Sequence, residues 1–228
     1  MARGKPLRLG IPKGSLQDST IKLFANSGWK IRLHHRNYFP DIDDPDVECT
    51  LCRAQEMPVY IEDGTLDVGL TGKDWILENE AEVDKVCELV YSKTSNRPAR
   101  WVLAVANDSP VRRPEDLQGK KIATELENYT RKYFQEADIP VEVEFSWGAT
   151  EAKVASGLAD AIVEVTETGT TIKAHGLRII AELMQTSTQL IANKAAMQDE
   201  WKRSKIDQMS TLLQGALRAE RLVGLKMN

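Results

Sequence analysis

Short apolar segments alternate with helix-sized segments along almost the whole chain, and this alternation constrains the fold more than any other feature. Strands that alternate with helices are typical of βαβ units, whose strands pair in a mostly parallel sheet. Residues 7–11 form the first predicted strand, and Gly28 marks the end of the helix that follows. Ser15, with Asp18 three residues later, is the predicted N-cap of that helix. The pattern therefore predicts an α/β protein.

A turn-rich segment, NDSPVRRP at residues 107–114, divides the pattern into two sets. We expect two α/β lobes, the first formed by residues 1–93 with 183–228 and the second by residues 94–182. A ligand would bind in the cleft between the lobes, near the carboxyl ends of strands. The further predicted elements are strands near 29–34, 47–52, 68–71, 101–106, 121–124, 141–145, 161–166, 177–184 and 189–193, helices near 56–63, from 74, 128–137 and 150–157, and an amphipathic C-terminal helix from 194 to about 222.

Charge and hydropathy exclude several classes of protein. The 34 Asp and Glu residues outnumber the 30 Lys and Arg residues, which gives a net charge of −4. This balance lacks the basic excess of nucleic-acid-binding proteins. No apolar run approaches the 18 residues of a membrane span. The N-terminus MARGKPLRLGIPKGS has neither the apolar core nor the cleavage site of a secretion signal, which predicts a cytoplasmic protein.

The three cysteines leave two interpretations open. Cys49 and Cys52 form a CxxC motif downstream of His34 and His35, as a zinc or redox site would. The residues around Cys49 alternate as on a strand, however, and side chains on a strand point to opposite faces. No second CxxC motif occurs, and Cys87 stands alone. The spacing favours buried, reduced thiols.

The stretch AIVEVTETGTTI, residues 161–172, is the most informative motif. An apolar strand leads into Glu164 and Glu167, and a turn rich in hydroxyl groups precedes a helical segment. Backbone N–H groups at a helix start, a glycine and threonine hydroxyls are suited to binding a phosphate monoester. The carboxylates could accept hydrogen bonds from ribose hydroxyls or help to hold Mg²⁺. A phosphorylated sugar fits this pattern, although such turns also cap helices without binding anything.

Three basic residues follow predicted strands. Lys13 offers a charge for a polyphosphate, and the Gly14–Ser15 turn beside it offers N–H donors. Arg36 and Arg53 carry guanidinium groups, which match the geometry of a diphosphate. Each of the three could equally be a solvated surface charge.

Four segments together resemble the ATP phosphoribosyltransferase family, in order and over nearly the whole chain. They are IPKGSL, LCRAQEMPVYIEDGTLDVGLTGKDWI, KKIATELENYTRKYF and GLADAIVEVTETGTTIKAHGLRII. The resemblance implies two lobes like those of periplasmic binding proteins. It also implies an enzyme that joins N1 of ATP to C1 of phosphoribosyl pyrophosphate with Mg²⁺ and releases pyrophosphate, the first step of histidine biosynthesis.

The resemblance implies roles for individual residues. Phosphoribosyl pyrophosphate would be bound by Glu164, Glu167, Thr168, Gly169, Thr170 and Thr171. ATP or pyrophosphate would be bound by Lys13, Gly14, Ser15, Arg53, Asp74, Glu125 and Thr130. Arg36 and Lys13 are the expected catalytic residues, and no metal ligands are assigned. Many members have arginine where this chain has Ser15, so a guanidinium contact from that position is not expected here.

The resemblance also frames the mechanism and the assembly. Adenine N1 carries no proton and is itself the nucleophile, so catalysis would depend on positioning and on stabilising the leaving pyrophosphate. The end ALRAERLVGLKMN resembles the long form of the family, which carries a further histidine-sensing domain. We therefore expect this chain to be a catalytic core that assembles as a homo-oligomer. A regulatory domain or subunit would be a separate part, absent from this chain.

A binding module is the alternative function. The stretch NDSPVRRPEDLQGKKIAT is also similar to the second lobe of solute-binding proteins and of effector-binding domains. Such proteins bind small anions in the same kind of cleft without chemistry. Release of pyrophosphate from ATP and phosphoribosyl pyrophosphate would distinguish the enzyme from the binding module.

Overall fold

The computed structural model describes residues 5–35, 37–91 and 98–220. The chain divides into two compact units, which we call unit 1 (Met1–Asn96 with Ser187–Asn228) and unit 2 (Arg97–Thr186). Each unit is built on one five-stranded sheet with helices packed on it. No helix of the described residues is both long and apolar enough to cross a membrane.

Unit 1 contains a sheet with the strand order β4-β1-β5-β12-β6 and a separate β2–β3 pair. Its strands are β1 (Leu7–Lys13), β2 (Ile31–Arg32), β3 (Asp41–Ile42), β4 (Val47–Arg53), β5 (Val68–Gly72), β6 (Asp84–Leu89) and β12 (Thr188–Ala192). Its helices are α1 (Gln17–Asn26), α2 (Met57–Glu62), α3 (Lys73–Glu78), α7 (Lys194–Gln198) and α8 (Glu200–Ala219). β1 runs parallel to β4 and β5, whereas β12 runs antiparallel to β5 and β6.

Unit 2 contains a sheet with the strand order β11-β7-β10-β8-β9. Its strands are β7 (Ala99–Ala106), β8 (Lys121–Thr124), β9 (Glu142–Phe145), β10 (Ala161–Thr166) and β11 (Leu177–Thr186). Its helices are a 3₁₀ turn (Pro114–Leu117), α4 (Glu127–Glu136), α5 (Thr150–Ala155) and α6 (Thr170–Ala174). β8 runs parallel to β9 and β10, and β7 runs antiparallel to β10 and β11.

The α/β class is confirmed, but each sheet is mixed, because half of its strand pairs are antiparallel. Apolar periodicity locates a strand without fixing its direction. Between β6 and β12 the chain builds the whole of unit 2, so no local βαβ crossover determines the direction of β12. Two strands, β3 and β6, were not predicted; β6 is only partly buried along most of its length and so lacks a strong apolar signal.

The predicted N-cap of α1 is wrong. Helix α1 begins at Gln17, Leu16 occupies the N-cap position, and no side chain caps it. The Gln17 N–H donates to the Gly14 carbonyl oxygen at 3.1 Å, so a separate turn comes before the helix. Ser15 is exposed in that turn. The predicted end of the helix is confirmed, since Gly28 follows it with a φ of +100°.

The apolar face of α8 completes the core of unit 1. Ile206, Met209 and Leu213 are buried among β-strand residues and α1. One buried carboxylate and one that is partly buried pair with lysines of this helix. Lys202 pairs with Asp67 at 2.8 Å, and Lys205 pairs with Asp44 at 2.7 Å. The C-terminal amphipathic pattern is therefore core packing within unit 1.

Met57, which is fully buried at the start of α2, packs directly against the backbone of two glycines on neighbouring strands. Gly10 on β1 is opposite Gly69 on β5 in the parallel register. A Cβ at Gly10 would lie 2.3 Å from the Met57 sulfur and 2.9 Å from Cδ1 of Leu66. A Cβ at Gly69 would lie 2.5 Å from the same sulfur. The missing side chains therefore let α2 pack closely on the sheet.

We expect Gly10→Ala to lower the free energy of unfolding by about 2 kcal/mol, because the added methyl group overpacks a filled core. Urea denaturation measures the loss. Adding Met57→Ala should recover part of it by removing the clashing sulfur. The matched control is Gly215→Ala on α8, where a Cβ meets nothing within 4 Å and helix propensity favours alanine. Equal effects of the two alanine substitutions would contradict the packing argument.

Candidate active site

The basic residues of unit 1 meet at the carboxyl ends of β1 and β4. These strands are parallel, and Lys13 is opposite Arg53 in their register. Gly14 follows with a φ of +112°, a conformation that favours glycine. A Cβ at Gly14 would lie 3.4 Å from Nη1 of Arg53, so the guanidinium lies beside this turn. Lys13, Gly14 and Arg53 thus form one cluster, which we call the basic turn.

An aromatic ring that the sequence did not identify orients Lys13. The Lys13 ammonium lies 4.3 Å from the centroid of the Tyr38 ring, within the range of a cation–π contact. Tyr38 and Phe39 are exposed, and both line a groove of about 1030 Å³ together with Lys13 and Arg53. The only sequence signal for this contact was the adjacent pair of aromatic residues after Arg36. Arg36 itself lies outside the described residues.

Asp74 is buried in the first turn of α3. Its Oδ1 accepts a hydrogen bond from the Trp75 N–H at 3.0 Å. A Cβ at Gly72 would lie only 2.0 Å from this oxygen, so the glycine before α3 leaves room for the carboxylate. Asp74 therefore lies where β5 ends, and β5 is parallel to β1 and adjacent to it.

In unit 2 the predicted phosphate motif forms a tight turn after β10, which we call the β10 turn (residues 166–171). The Gly169 N–H donates to the hydroxyl of buried Thr166 at 2.8 Å, and Gly169 has a φ of +78°. The Thr168 and Thr170 hydroxyl oxygens lie 2.8 Å apart on the exposed side. Thr171 is exposed in the first turn of α6. The anchored glycine thus fixes a turn with its hydroxyl groups outward.

Glu164 lies within β10, two residues before the strand ends, whereas Glu167 is in the turn. Burial raises the pKa of Glu164 to about 7. A hydrogen bond from the Val165 N–H at 3.0 Å opposes this rise, and the nearby carboxylates of Glu151 and Glu125 add to it. Glu164 can therefore change protonation near neutral pH, which no sequence pattern indicated.

Buried hydroxyl groups surround this end of the unit 2 sheet. Thr130, Ser146 and Thr150 are buried. The side-chain oxygens of Thr130 and Ser146 have no hydrogen-bond partner among the described residues, whereas the Thr150 hydroxyl faces the Glu164 carboxyl. Thr130 was predicted as a site residue, whereas Ser146 and Thr150 were not. Single polar residues inside apolar segments carry no functional signal in a sequence. Glu125, at the end of β8, is half-buried.

The cysteines are free thiols packed around β4 and β6. Burial raises the pKa values of Cys49 and Cys52 to about 12, so neither is a thiolate near neutral pH. The Cys52 sulfur lies 3.5 Å from the Met57 sulfur. Cys49 is buried, as expected, whereas Cys52 and Cys87 are only partly buried.

Comparisons with known proteins identify the family of the chain. The family model of ATP phosphoribosyltransferase matches residues 53–215. An ATP phosphoribosyltransferase of Solidesulfovibrio magneticus is 74% identical over 228 residues, all of this chain and 78% of that protein. One of Desulfatibacillum aliphaticivorans is 69% identical over 222 residues, 97% of this chain and 76% of that protein.

Solved structures show the same relationship. The ATP phosphoribosyl transferase (HisG:HisZ) complex from Thermotoga maritima contains a chain with a TM-score of 0.80 and 27% identity, covering 93% of this chain and 99% of that one. The sulphonate-binding protein SsuA of Escherichia coli has a TM-score of 0.59 at 18% identity, covering 96% of this chain and 75% of that one, and shares the fold alone. The chain therefore belongs to the ATP phosphoribosyltransferase family, the enzymes of the first step of histidine biosynthesis.

Proposed function

We propose that the two clusters divide the substrates of the phosphoribosyl transfer. The β10 turn binds the phosphoribosyl group, and the basic turn binds pyrophosphate and the ATP triphosphate. The observation that carries this proposal is the anchored Gly169, which holds the hydroxyl groups of Thr168 and Thr170 on one exposed turn. These hydroxyls and the N–H groups of the first turn of α6 are the donors that a 5-phosphate requires.

The carboxylates next to this turn have different tasks because their environments differ. Ionised Glu164 accepts hydrogen bonds from the ribose hydroxyls. Glu167 lies nearer along the chain to the turn that would bind the 5-phosphate. Neither residue needs to remove a proton, since adenine N1 attacks C1 of the ribose with its lone pair. The chemical task of the protein is therefore to align N1 with C1 and to stabilise the leaving pyrophosphate. Lys13 and Arg53 supply the positive charge for that second task, with Arg36 as a further candidate.

Mg²⁺ is the expected cofactor. Among the described residues, no three His, Cys, Asp or Glu side chains converge on a metal position. Mg²⁺ does not require such a cluster, because it keeps several waters, takes only one or two protein carboxylates and is otherwise held by substrate phosphates. Glu164 and Glu167, which border the β10 turn, are the carboxylates that would hold it. When bound, Mg²⁺ neutralises charge on the pyrophosphate.

We also propose that the chain assembles with further subunits. The solved Thermotoga maritima relative is a complex of HisG with HisZ, and the curated relatives are longer than this chain. A homo-oligomer, with a regulatory domain or subunit added to it, is the assembly we expect. Light scattering of the purified chain measures its mass, and a monomer at assay concentration would contradict the homo-oligomer.

Glu164→Gln tests the phosphoribosyl site. We expect the KM for phosphoribosyl pyrophosphate to rise about 10-fold, because a neutral amide replaces a charged acceptor. In the unsubstituted enzyme, kcat/KM for this substrate should fall as pH drops through about 7, where Glu164 gains its proton. For the variant, kcat/KM should not show this fall near pH 7. Pyrophosphate release in the presence of ATP and Mg²⁺ is the measurement, and Glu142→Gln, on an exposed side chain, is the control.

The same substitution should stabilise the fold. A carboxyl whose folded pKa is raised contributes stability below its ordinary pKa of 4.5, and loses it as pH rises through about 7. Above pH 7, Glu164→Gln should therefore unfold with a free energy on the order of 2 kcal/mol higher than the unsubstituted protein. Near pH 4.5 the two should be equal. A variant that is less stable at pH 8 would argue against a buried ionised Glu164.

A further inference from the structure

Two aromatic side chains are exposed at the end of β9, in a unit whose other aromatic rings are buried or half-buried. Phe145 is 47% exposed and Trp147 is 68% exposed. Their ring centroids lie 6.0 Å apart with the planes tilted by 39°. Ser146 between them is buried, and its N–H donates to the Thr124 carbonyl oxygen at 2.9 Å. The backbone is thus tied to the sheet while both rings face outward, and we call them the aromatic pair.

The aromatic pair lies on the same sheet edge as Glu164. β9 and β10 both run parallel to β8, one on each side of it, so all three carboxyl ends share one edge. Two strand spacings, about 10 Å, separate the ends of β9 and β10. After Trp147 the chain continues to Thr150, which is buried against the Glu164 carboxyl. The segment from Phe145 to Thr150 therefore leads along this edge from β9 towards Glu164.

The backbone between the pair and Thr150 is strained. Gly148 and Ala149 have φ values of +69° and +50°, and for alanine the left-handed conformation costs about 1 kcal/mol. This double turn brings Thr150 inward while Trp147 stays outside. Unfavourable backbone of this kind persists where the surrounding structure requires it, often at ligand sites.

We propose that the Phe145–Trp147 pair is the surface on which the adenine ring of ATP stacks. The inference rests on the proposed function, which places the ribose hydroxyls at Glu164. Ribose C1 is one bond from the carbon that carries the 2-hydroxyl, and reacting atoms must approach to about 3–3.5 Å. The adenine ring therefore lies within about one ring width of the ribose. The separation of about 10 Å between the ends of β9 and β10 leaves room for this arrangement. Aromatic side chains stack on any base, so the pair supplies affinity and orientation, not discrimination between bases.

Trp147→Ala tests the stacking surface. We expect the KM for ATP to rise about 10-fold and the KM for phosphoribosyl pyrophosphate to stay unchanged. Inhibition by inorganic tripolyphosphate, which has no base, should also be unchanged. Trp147→Phe should retain most of the affinity. In the unsubstituted enzyme, ATP alone should quench tryptophan fluorescence, and Trp147→Phe should remove this quenching. Trp201→Ala, a partly exposed tryptophan on α8 of unit 1, is the matched control.

Several outcomes would overturn the inference. They are an unchanged KM for ATP, an equal loss of tripolyphosphate inhibition, or a change of oligomeric mass in Trp147→Ala, which would make the pair a contact between copies. The outcomes for the two proposals are separable. If Glu164→Gln raises the KM for phosphoribosyl pyrophosphate as expected but Trp147→Ala has no effect on ATP, only the stacking surface is wrong. If Glu164→Gln has no effect on that KM, the ribose site itself is wrong.

Discussion

Arg53→Ala should lower kcat about 100-fold, while the KM for ATP changes by less than about fivefold. The Arg53 guanidinium lies beside the Gly14 turn and opposite Lys13 in the strand register. In the proposed site these two positive charges face the pyrophosphate. Negative charge develops on the pyrophosphate as its bond to ribose C1 breaks. An interaction that strengthens in the transition state affects kcat, whereas one already complete in the ground state affects KM. Steady-state kinetics of pyrophosphate release separates the two cases.

Arg53→Lys and Arg113→Ala complete this experiment. Lysine keeps the charge but cannot form the bidentate hydrogen bonds of arginine, so Arg53→Lys should retain more of kcat than Arg53→Ala but less than the unsubstituted enzyme. Arg113 is an exposed arginine whose ion pairs lie on the surface, and its removal should leave kcat unchanged. If Arg53→Ala raises the KM for ATP and leaves kcat intact, Arg53 contributes only to ATP binding and does not stabilise the leaving group.

Asp67→Ala should lower the free energy of unfolding by about 3 kcal/mol, the largest stability effect we expect. The Asp67 side chain is 3% exposed and accepts hydrogen bonds from the Arg8 guanidinium at 2.7 Å and from the Lys202 ammonium at 2.8 Å. Burial alone would raise the pKa of Asp67, but the hydrogen bonds from Arg8 and Lys202 hold it below its usual value. Alanine would leave the largely buried Lys202 without its carboxylate and would remove one of the two ion pairs described between α8 and the rest of unit 1.

Urea denaturation at pH 7 measures this loss. Adding Lys202→Met should recover part of the stability, because it removes the unpaired buried charge. The contribution of Asp67 is present above its ordinary pKa of 3.8 and disappears as pH falls through the lowered folded pKa. Glu82→Gln is the matched control, since the Glu82–Lys194 pair is equally short at 2.6 Å but exposed. A similar shift of the denaturation midpoint in both variants would refute the argument from burial.

The sequence predicted best where local chemistry and tertiary structure agree. The apolar run of β10 followed by TETGTT predicted a strand that ends in a turn. The structure has that turn, with Gly169 in the left-handed conformation. The end of α1 at Gly28 follows from the same freedom of glycine. The Ser15 cap failed because capping depends on where the helix begins, and the Gly14 turn moved that start to Gln17.

The amino-acid sequence by itself determined the α/β class, the order of most strands and helices, and the residue types of both candidate clusters, because periodicity, glycine positions and local motifs act over a few neighbours. Only the tertiary structure decided that Lys13 and Arg53 are opposite each other, that Tyr38 covers Lys13, and that Glu164 lies beside Glu125 and Glu151. These relations join residues far apart in the chain. Strand pairing and burial, which create them, are properties of the packed sheets and carry no local signal.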